Sequence, residues 1–447
     1  MSETIYLKWR GVLRLALVQT AIGAIIVLVT STLNRVMIVE FALPAVLPAA
    51  LVAGHYLVQL LRMHQGHRVD AAGRAPARIV AGMAVLAISG SLASVATAWL
   101  RASVHGGVTL AIFAYLGIGI GVSVAGTTNM TLLSKRVEPR QRPLVAALVW
   151  LMMIAGFSLS AGLAGRFLQP FSEQRLVQVI TAGCLMAFLL AWLAVRGQRE
   201  SAPAITALAA GVERKPQGFG QALRAVWADT AARRFTGFLF ASMLAFSAQE
   251  LLLEPFAGLV FGLAPGASAR LSGLQNAGVL MGMVTLVVAA LARRGPRHPR
   301  FAVRCMIVGT TGSALGILAL AFIATHPLPA LLSGTAFALG VANGVFAVAA
   351  LGVMMELSGA GSGGHEGLRM GLWGAAQALA FASGGVASGV TVDLARRWLM
   401  TPASAYASVF CIDAALFLAA GILALRLSGT TSARSPVLLH TKVALEL

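Results

Sequence analysis

Twelve apolar runs of membrane-spanning length follow one another along the chain, at about 11–33, 41–61, 78–99, 108–133, 144–167, 176–195, 235–254, 270–292, 302–325, 329–355, 370–392 and 405–427. About 20 apolar residues cross a hydrocarbon core as a helix, and lipid offers no partner to an open backbone N–H or C=O. A chain built this way is restricted to an all-α integral membrane bundle of twelve transmembrane helices. Only 11% of its 447 residues are charged, about half the share of an ordinary soluble domain. The net charge of +19 does not point to nucleic acid, because the basic residues form short clusters between apolar runs, where membrane topology needs them. Cys184, Cys305 and Cys411 lie inside apolar runs with no metal-ligand spacing and read as small core hydrophobes. The first run has no small-residue cleavage site after a short core, so it reads as the first span.

A polar segment, 196–234, divides the runs six and six. It reads as a cytoplasmic linker between an N-terminal six-helix bundle (1–195) and a C-terminal one (235–427), with a cytoplasmic tail at 428–447. Placing both termini in the cytoplasm puts roughly 27 of the 34 basic residues on that side, as the positive-inside rule requires. Sliding the chain by about 220 residues lays Leu43-Pro44 over the Leu263–Pro265 turn and the basic loop after the second run over the one after the eighth. Two parallel six-helix pseudo-repeats are the plan of the major facilitator fold.

The loop after the second run supports that fold. It reads Gly66-His-Arg-Val-Asp70-Ala-Ala-Gly73-Arg74, which resembles the G-x-x-x-D-x-x-G-R loop of the major facilitator superfamily. Glycines permit the tight turn, while Asp70 can cap a helix and pair with an arginine across a gate. Gly66, Asp70, Gly73 and Arg74 are therefore the candidate gating residues. Ala75 stands where a second basic residue would strengthen the pairing.

Two acidic residues interrupt the seventh run, in Gln249-Glu250-Leu-Leu-Leu-Glu254-Pro255-Phe256. A carboxylate at membrane depth costs several kcal/mol and must be compensated by a proton, a cation, water or a ligand. Alternatively the helix ends at Glu254, since Pro255 disfavours helix before it, and the pair sits in the wet headgroup zone. The first run leaves through Thr32-Leu-Asn34-Arg35-Val-Met-Ile-Val-Glu40. This is either an interfacial turn with a solvated ion pair or a charged mouth to a central cavity. Under the 220-residue offset Asn34-Arg35 lies over Glu254-Pro255, which makes Arg35 a candidate counter-ion for Glu254.

His55 falls in the second run, with Gln275 and Asn276 at the corresponding point of the eighth. A neutral imidazole can ligate the magnesium of a chlorin, and amide oxygens can serve as donors too, although an intramembrane histidine can equally be a packed, hydrogen-bonded core residue. Asn129, Asn343 and Asp413 can serve as inter-helix hydrogen-bonding groups, and the glycine-rich runs as close-packing faces. Those glycines follow no strand, which excludes a nucleotide-binding fingerprint.

The Asn34–Glu40 exit, the Asp70 loop, the Glu138-Pro139-Arg140-Gln141-Arg142 loop and the Leu-Glu254-Pro255-Phe motif together resemble the bacteriochlorophyll-delivery (PucC/LhaA-type) family of that superfamily over essentially the whole chain. The resemblance implies a non-enzymatic membrane assembly factor in the inner membrane of a phototrophic bacterium. Its implied cargo is bacteriochlorophyll a or a late precursor, bound or delivered to light-harvesting antenna polypeptides. Further implied partners are the pigment-synthesis enzyme that adds the tail and the membrane insertion machinery. The competing reading is a proton-coupled secondary transporter of a lipophilic molecule, with Glu250 and Glu254 as proton sites.

Overall fold

The computed structural model describes residues 7–60, 75–138, 141–198, 227–292, 299–326, 328–359, 366–399 and 401–432. Its helices in chain order are α1 (Trp9–Glu40), α2 (Val46–Leu60), α3 (Ala75–Trp99), α4 (Val104–Arg136), α5 (Arg142–Phe167), α6 (Glu173–Val195), α7 (Thr230–Phe261), α8 (Pro265–Ala292), α9 (Pro299–Thr325), α10 (Pro329–Gly359), α11 (Glu366–Trp398) and α12 (Pro402–Ser432). Among the described residues eleven of these are long and apolar enough to cross a membrane. The exception is α2, 15 residues long. Residues 61–74, with the gating candidates Gly66, Asp70, Gly73 and Arg74, lie outside the described residues, as do Pro139 and Arg140, most of 196–234 and the residues from 433.

Helix packing repeats with a step of six. In the first half α1 packs on α5 and α6, α4 on α2 and α3, and α3 on α6; in the second α7 packs on α11 and α12, α10 on α8 and α9, and α9 on α12. The two sets meet along α5–α8 and α2–α11. Within their apolar windows α1 and α7 are each 67% buried, against 28% for α6, so α1 and α7 form the interior and α6 faces outward. Large apolar side chains such as Phe113, Met186 and Val308 point out of the bundle, as lipid permits and water would not.

Small residues set the closest approaches. A Cβ on Gly278 or Gly282 of α8 would strike the backbone of α10, and one on Gly340 or Gly344 of α10 would strike the backbone of α8. Dispersion between helix backbones is the main attraction left when the solvent is itself apolar. Gly119 and Gly121 likewise seat α4 against α2 and α3. Helix starts are capped where the turn is polar: Ser103 accepts from Gly106 N, Ser172 from Arg175 N, and Asp229 from Ala231 N.

Two helices run past their expected ends. The first does not leave the bundle at residue 33; it continues to Glu40 through π-helical turns at Leu28–Leu33 and Val36–Glu40. The seventh does not stop at Glu254. It carries Pro255 inside the helix and ends at Phe261, where Gly262 (φ 66°) closes it with bonds from Gly262 N to Gly258 O and Leu263 N to Ala257 O, a Schellman-type stop that favours glycine.

Candidate functional site

Where α1 and α7 meet, the polar residues of the two segments interlock. Pro255 has no N–H, so the carbonyl of Leu251 one turn earlier lacks its helical donor. Asn34 supplies it from the other half: its Nδ2 donates to Leu251 O at 2.6 Å. Asn34 stands between the two π segments, whose extra residue per turn shifts side-chain direction. Ser31, one turn before it, donates to Oε1 of Glu254 at 2.6 Å and lies 3.3 Å from the hydroxyl of Ser272 on α8. Glu254 is fully buried, and its Oε2 has no hydrogen-bond partner among the described residues. Glu254 is thus interior, and the alternative in which the helix ends at Glu254 is corrected, since it continues to Phe261.

Arg35 is also buried, but its ion-pair partner is Glu40, at 2.6 Å. The other end of the guanidinium donates to Leu263 O at 2.5 Å, in the turn between α7 and α8. Its NH2 lies close against Gly258, one turn on from Glu254. The expected direct pairing of Arg35 with Glu254 is therefore corrected. Arg35 lies between the π turn at Leu28–Leu33 and the one at Val36–Glu40, near the helix end, where an exposed acid and an open carbonyl satisfy it. The solvated-turn alternative fails as well, because the arginine side chain is 2% exposed.

The same end of the bundle holds further ties between the halves. Asp393, near the end of α11, accepts from Ala45 N through Oδ1 and from Val46 N through Oδ2, both at 2.9 Å. It thus caps the start of α2 from another helix. Arg270 of α8 donates to Gly165 O of α5 at 2.9 Å, and Ser158 of α5 donates to Gly273 O of α8 at 2.9 Å.

Glu250, one turn deeper than Glu254, borders a narrow central gap, too tight to hold a water molecule, together with Thr30, Tyr56, Ser247 and Phe381. Tyr56 of α2 and Phe381 of α11 form its side wall, with ring centroids 4.9 Å apart. Two hydroxyls that line the gap with Glu250 are committed elsewhere: Thr30 to Ile26 O, and Ser247 to Leu244 O and Ala380 O. Glu250 makes no hydrogen bond or ion pair with a described residue.

The remaining sequence candidates stand apart from this cluster. His55 is buried, directs Nδ1 to Val52 O of its own helix at 2.7 Å, and packs its ring on Tyr56 at 4.0 Å; Tyr56, not His55, borders the central space. Asn276 bonds its own helix at Ser272 O, and Gln275 is buried on α8. Asn129 ties α4 to α1 through Leu15 O at 3.1 Å, and Asn343 accepts from Ser313 at 2.7 Å; both link neighbouring helices. Asp413 is buried on α12. Sequence reasoning missed Ser31, Ser272, Tyr56, Phe381 and Asp393. Ser31 had a usable signal, one turn before Asn34-Arg35 in an apolar run; the others become significant only through contacts between distant helices.

A family model described as PUCC protein matches residues 32–432. Over 440 residues, 98% of this chain and 99% of the relative, the chain is 43% identical to "Bacteriochlorophyll synthase 44.5 kDa chain" of Rhodobacter capsulatus. It is 28% identical to "Protein PucC" of the same organism, over 91% of this chain and 90% of that one. Among solved structures it resembles a proton-dependent oligopeptide transporter at a TM-score of 0.71 and 12% identity, over 95% of this chain and 99% of that one. That likeness identifies the fold of major facilitator transporters.

Proposed function

Because the chain belongs to the PUCC protein family, we propose that it is a non-enzymatic assembly factor that holds bacteriochlorophyll a or a late precursor and passes it to light-harvesting antenna polypeptides. The family membership and the bacteriochlorophyll name carried by a relative 43% identical over nearly its full length support a pigment-related role. The observation that carries the mechanism is the half-to-half interface. The buried Glu254 and the Tyr56–Phe381 contact at that interface support a role in binding and release of a cargo.

In this reading the protein is a twelve-span bundle of two six-helix repeats in the inner membrane, with both termini in the cytoplasm. The end tied by Arg35, Asp393 and Arg270 faces away from the cytoplasm. The Gly66–Arg74 loop then gates the opposite end. Ser31, Asn34, Arg35, Glu40 and Glu254 join α1 to the α7–α8 corner, and Glu250 borders the central gap. Further partners in this scheme are the enzyme that adds the pigment's tail and the membrane insertion machinery.

The test is affinity purification from a phototrophic host with absorbance and mass spectrometry on the same sample. Co-purifying bacteriochlorophyll together with antenna polypeptides is expected. Protein free of pigment and antenna polypeptides, from cells assembling antennae at the time, refutes the proposal. The second reading, a proton-coupled transporter of a lipophilic solute, is favoured by the transporter fold together with the interior placement of Glu254. Proton-driven solute uptake in pigment-free vesicles would select it.

A further inference from the structure

On the outer face of the first half, at the end of the bundle opposite the Arg35–Glu40 pair, α3 and α6 leave between them a groove of about 420 Å³. One wall is made of small residues: Ala77, Ala81 and Ala84 share a face of α3, four and then three residues apart. Across from them lie Trp192 of α6 and, just past the helix end, Arg196 and Gln198. Among the described residues no carboxylate lines this groove. Three guanidinium groups gather at its polar end instead. Arg14 donates to Leu193 O at 2.9 Å and to Arg196 O at 2.5 Å, Arg136 reaches Gln198 Oε1 at 3.5 Å, and Arg196 lies over the Trp192 ring at 5.2 Å. The Arg196 side chain has no hydrogen bond or ion pair with a described residue.

We infer that this groove binds an anionic phospholipid, with the phosphate against Arg196 and an acyl chain along the alanine face of α3. A guanidinium matches two phosphate oxygens at once, and it holds its charge whatever its surroundings. Stacking on Trp192 fixes the Arg196 head beside a residue type that favours the membrane–water boundary. A basic pocket between spanning helices attracts anionic headgroups by the same electrostatics that orients the whole chain. Below the polar end the surface turns apolar. Val85 and Ile88 continue the α3 face and Leu189 and Leu185 continue α6, all of them exposed, as contact with lipid allows. From Arg196 to Leu185 the helix rises about 16 Å, close to half of the roughly 30 Å hydrocarbon core. The stripe is therefore as long as one leaflet is deep.

Charge and shape together select this occupant. A free phosphate would use the polar end alone and leave the apolar length uncovered. A second copy of the chain would bring more positive charge to a positive rim, since the sequence carries 34 basic residues against 15 acidic ones, and like charges set face to face oppose docking. A phospholipid with a net negative headgroup supplies both the anion and the tail. The site is independent of the cargo proposed above, because it lies at the opposite end of the bundle from the Glu254 cluster and uses none of its residues.

The experiment titrates the purified, delipidated full-length protein with phosphatidylglycerol and, separately, with phosphatidylcholine, and reads bound lipid and oligomeric state by native mass spectrometry. The wild type is expected to bind phosphatidylglycerol about fivefold more tightly, the effect of a single arginine beside an anionic headgroup. Arg196→Ala should bind both lipids alike, while Arg196→Lys should keep part of the preference. Ala81→Phe fills the groove without altering charge and should weaken phosphatidylglycerol binding about as much as Arg196→Ala does. Arg166→Ala, at an exposed arginine in the last turn of α5, at the other end of the bundle, should keep the full preference. Equal binding of the two lipids by the wild type, full preference in Arg196→Ala, unchanged binding in Ala81→Phe, or loss of preference in Arg166→Ala each overturns the inference. So does displacement of phosphatidylglycerol by millimolar inorganic phosphate, which would mark a free-anion site. A dimer that Ala81→Phe dissociates would make a second copy the occupant and overturn it as well. If Arg196→Ala does not fold, Arg196→Gln takes its place, and Ala81→Phe decides independently.

Discussion

The side-chain amide of Asn34 donates to the backbone carbonyl of Leu251, the very group that Pro255 strips of its helical donor. A defect in one helix is thus repaired by a side chain from the other half of the molecule. The cost of losing that repair is predictable. Asn34→Ala leaves a buried carbonyl unpaired and should destabilise the protein by about 1–3 kcal/mol, measured by unfolding in SDS titrations. In a Pro255→Ala background residue 255 regains its own N–H, and the cost of Asn34→Ala should drop below about 1 kcal/mol. An equal cost in both backgrounds would show that Asn34 acts through something other than Leu251.

Arg35 should be coupled more strongly to Glu40 than to Glu254. In double-mutant cycles built from Arg35→Gln, Glu40→Gln and Glu254→Gln, the Arg35–Glu40 coupling should be about 1 kcal/mol. The Arg35–Glu254 coupling should be the smaller of the two, because that pair shares no hydrogen bond and interacts only through its charges. Strong Arg35–Glu254 coupling would contradict the observed partners.

Asp393 caps α2 across the seam between the halves. Asp393→Ala removes acceptors from two N–H groups at a helix start and should cost about 1 kcal/mol, the usual value of an N-cap. Asp393→Asn keeps one oxygen acceptor and should cost less. Equal losses in the two variants would indicate that the charge, not the hydrogen bonding, carries the effect.

Orientation is checked by cysteine labelling, after replacing Cys184, Cys305 and the exposed Cys411. Cysteines at Ala210 and Ser362 should react only from the cytoplasmic side, and one at Thr401, between α11 and α12, only from the other. Reaction of Ala210 and Thr401 positions from the same side rules out the proposed topology.

Hydrophobicity alone determined the helices of this protein, because lipid forces every long apolar run to satisfy its own backbone. Run length and spacing are local properties, readable one segment at a time. The same holds for the special character of the Asn34–Glu40 and Glu250–Glu254 segments, since charge inside an apolar run is costly wherever the run is placed. Partner choice was not local. Arg35 is flanked by two π turns and pairs with Glu40, and those turns leave no hydropathy trace because π and α turns hold the same apolar residues. Pro255 reads as a stop until Asn34 is brought to Leu251 from a helix more than 200 positions earlier. Asp393 and the Tyr56–Phe381 wall likewise acquire meaning only where α2 meets α11. Those contacts depend on how two half-molecules close on one another, and that arrangement arises from packing between surfaces distant in sequence.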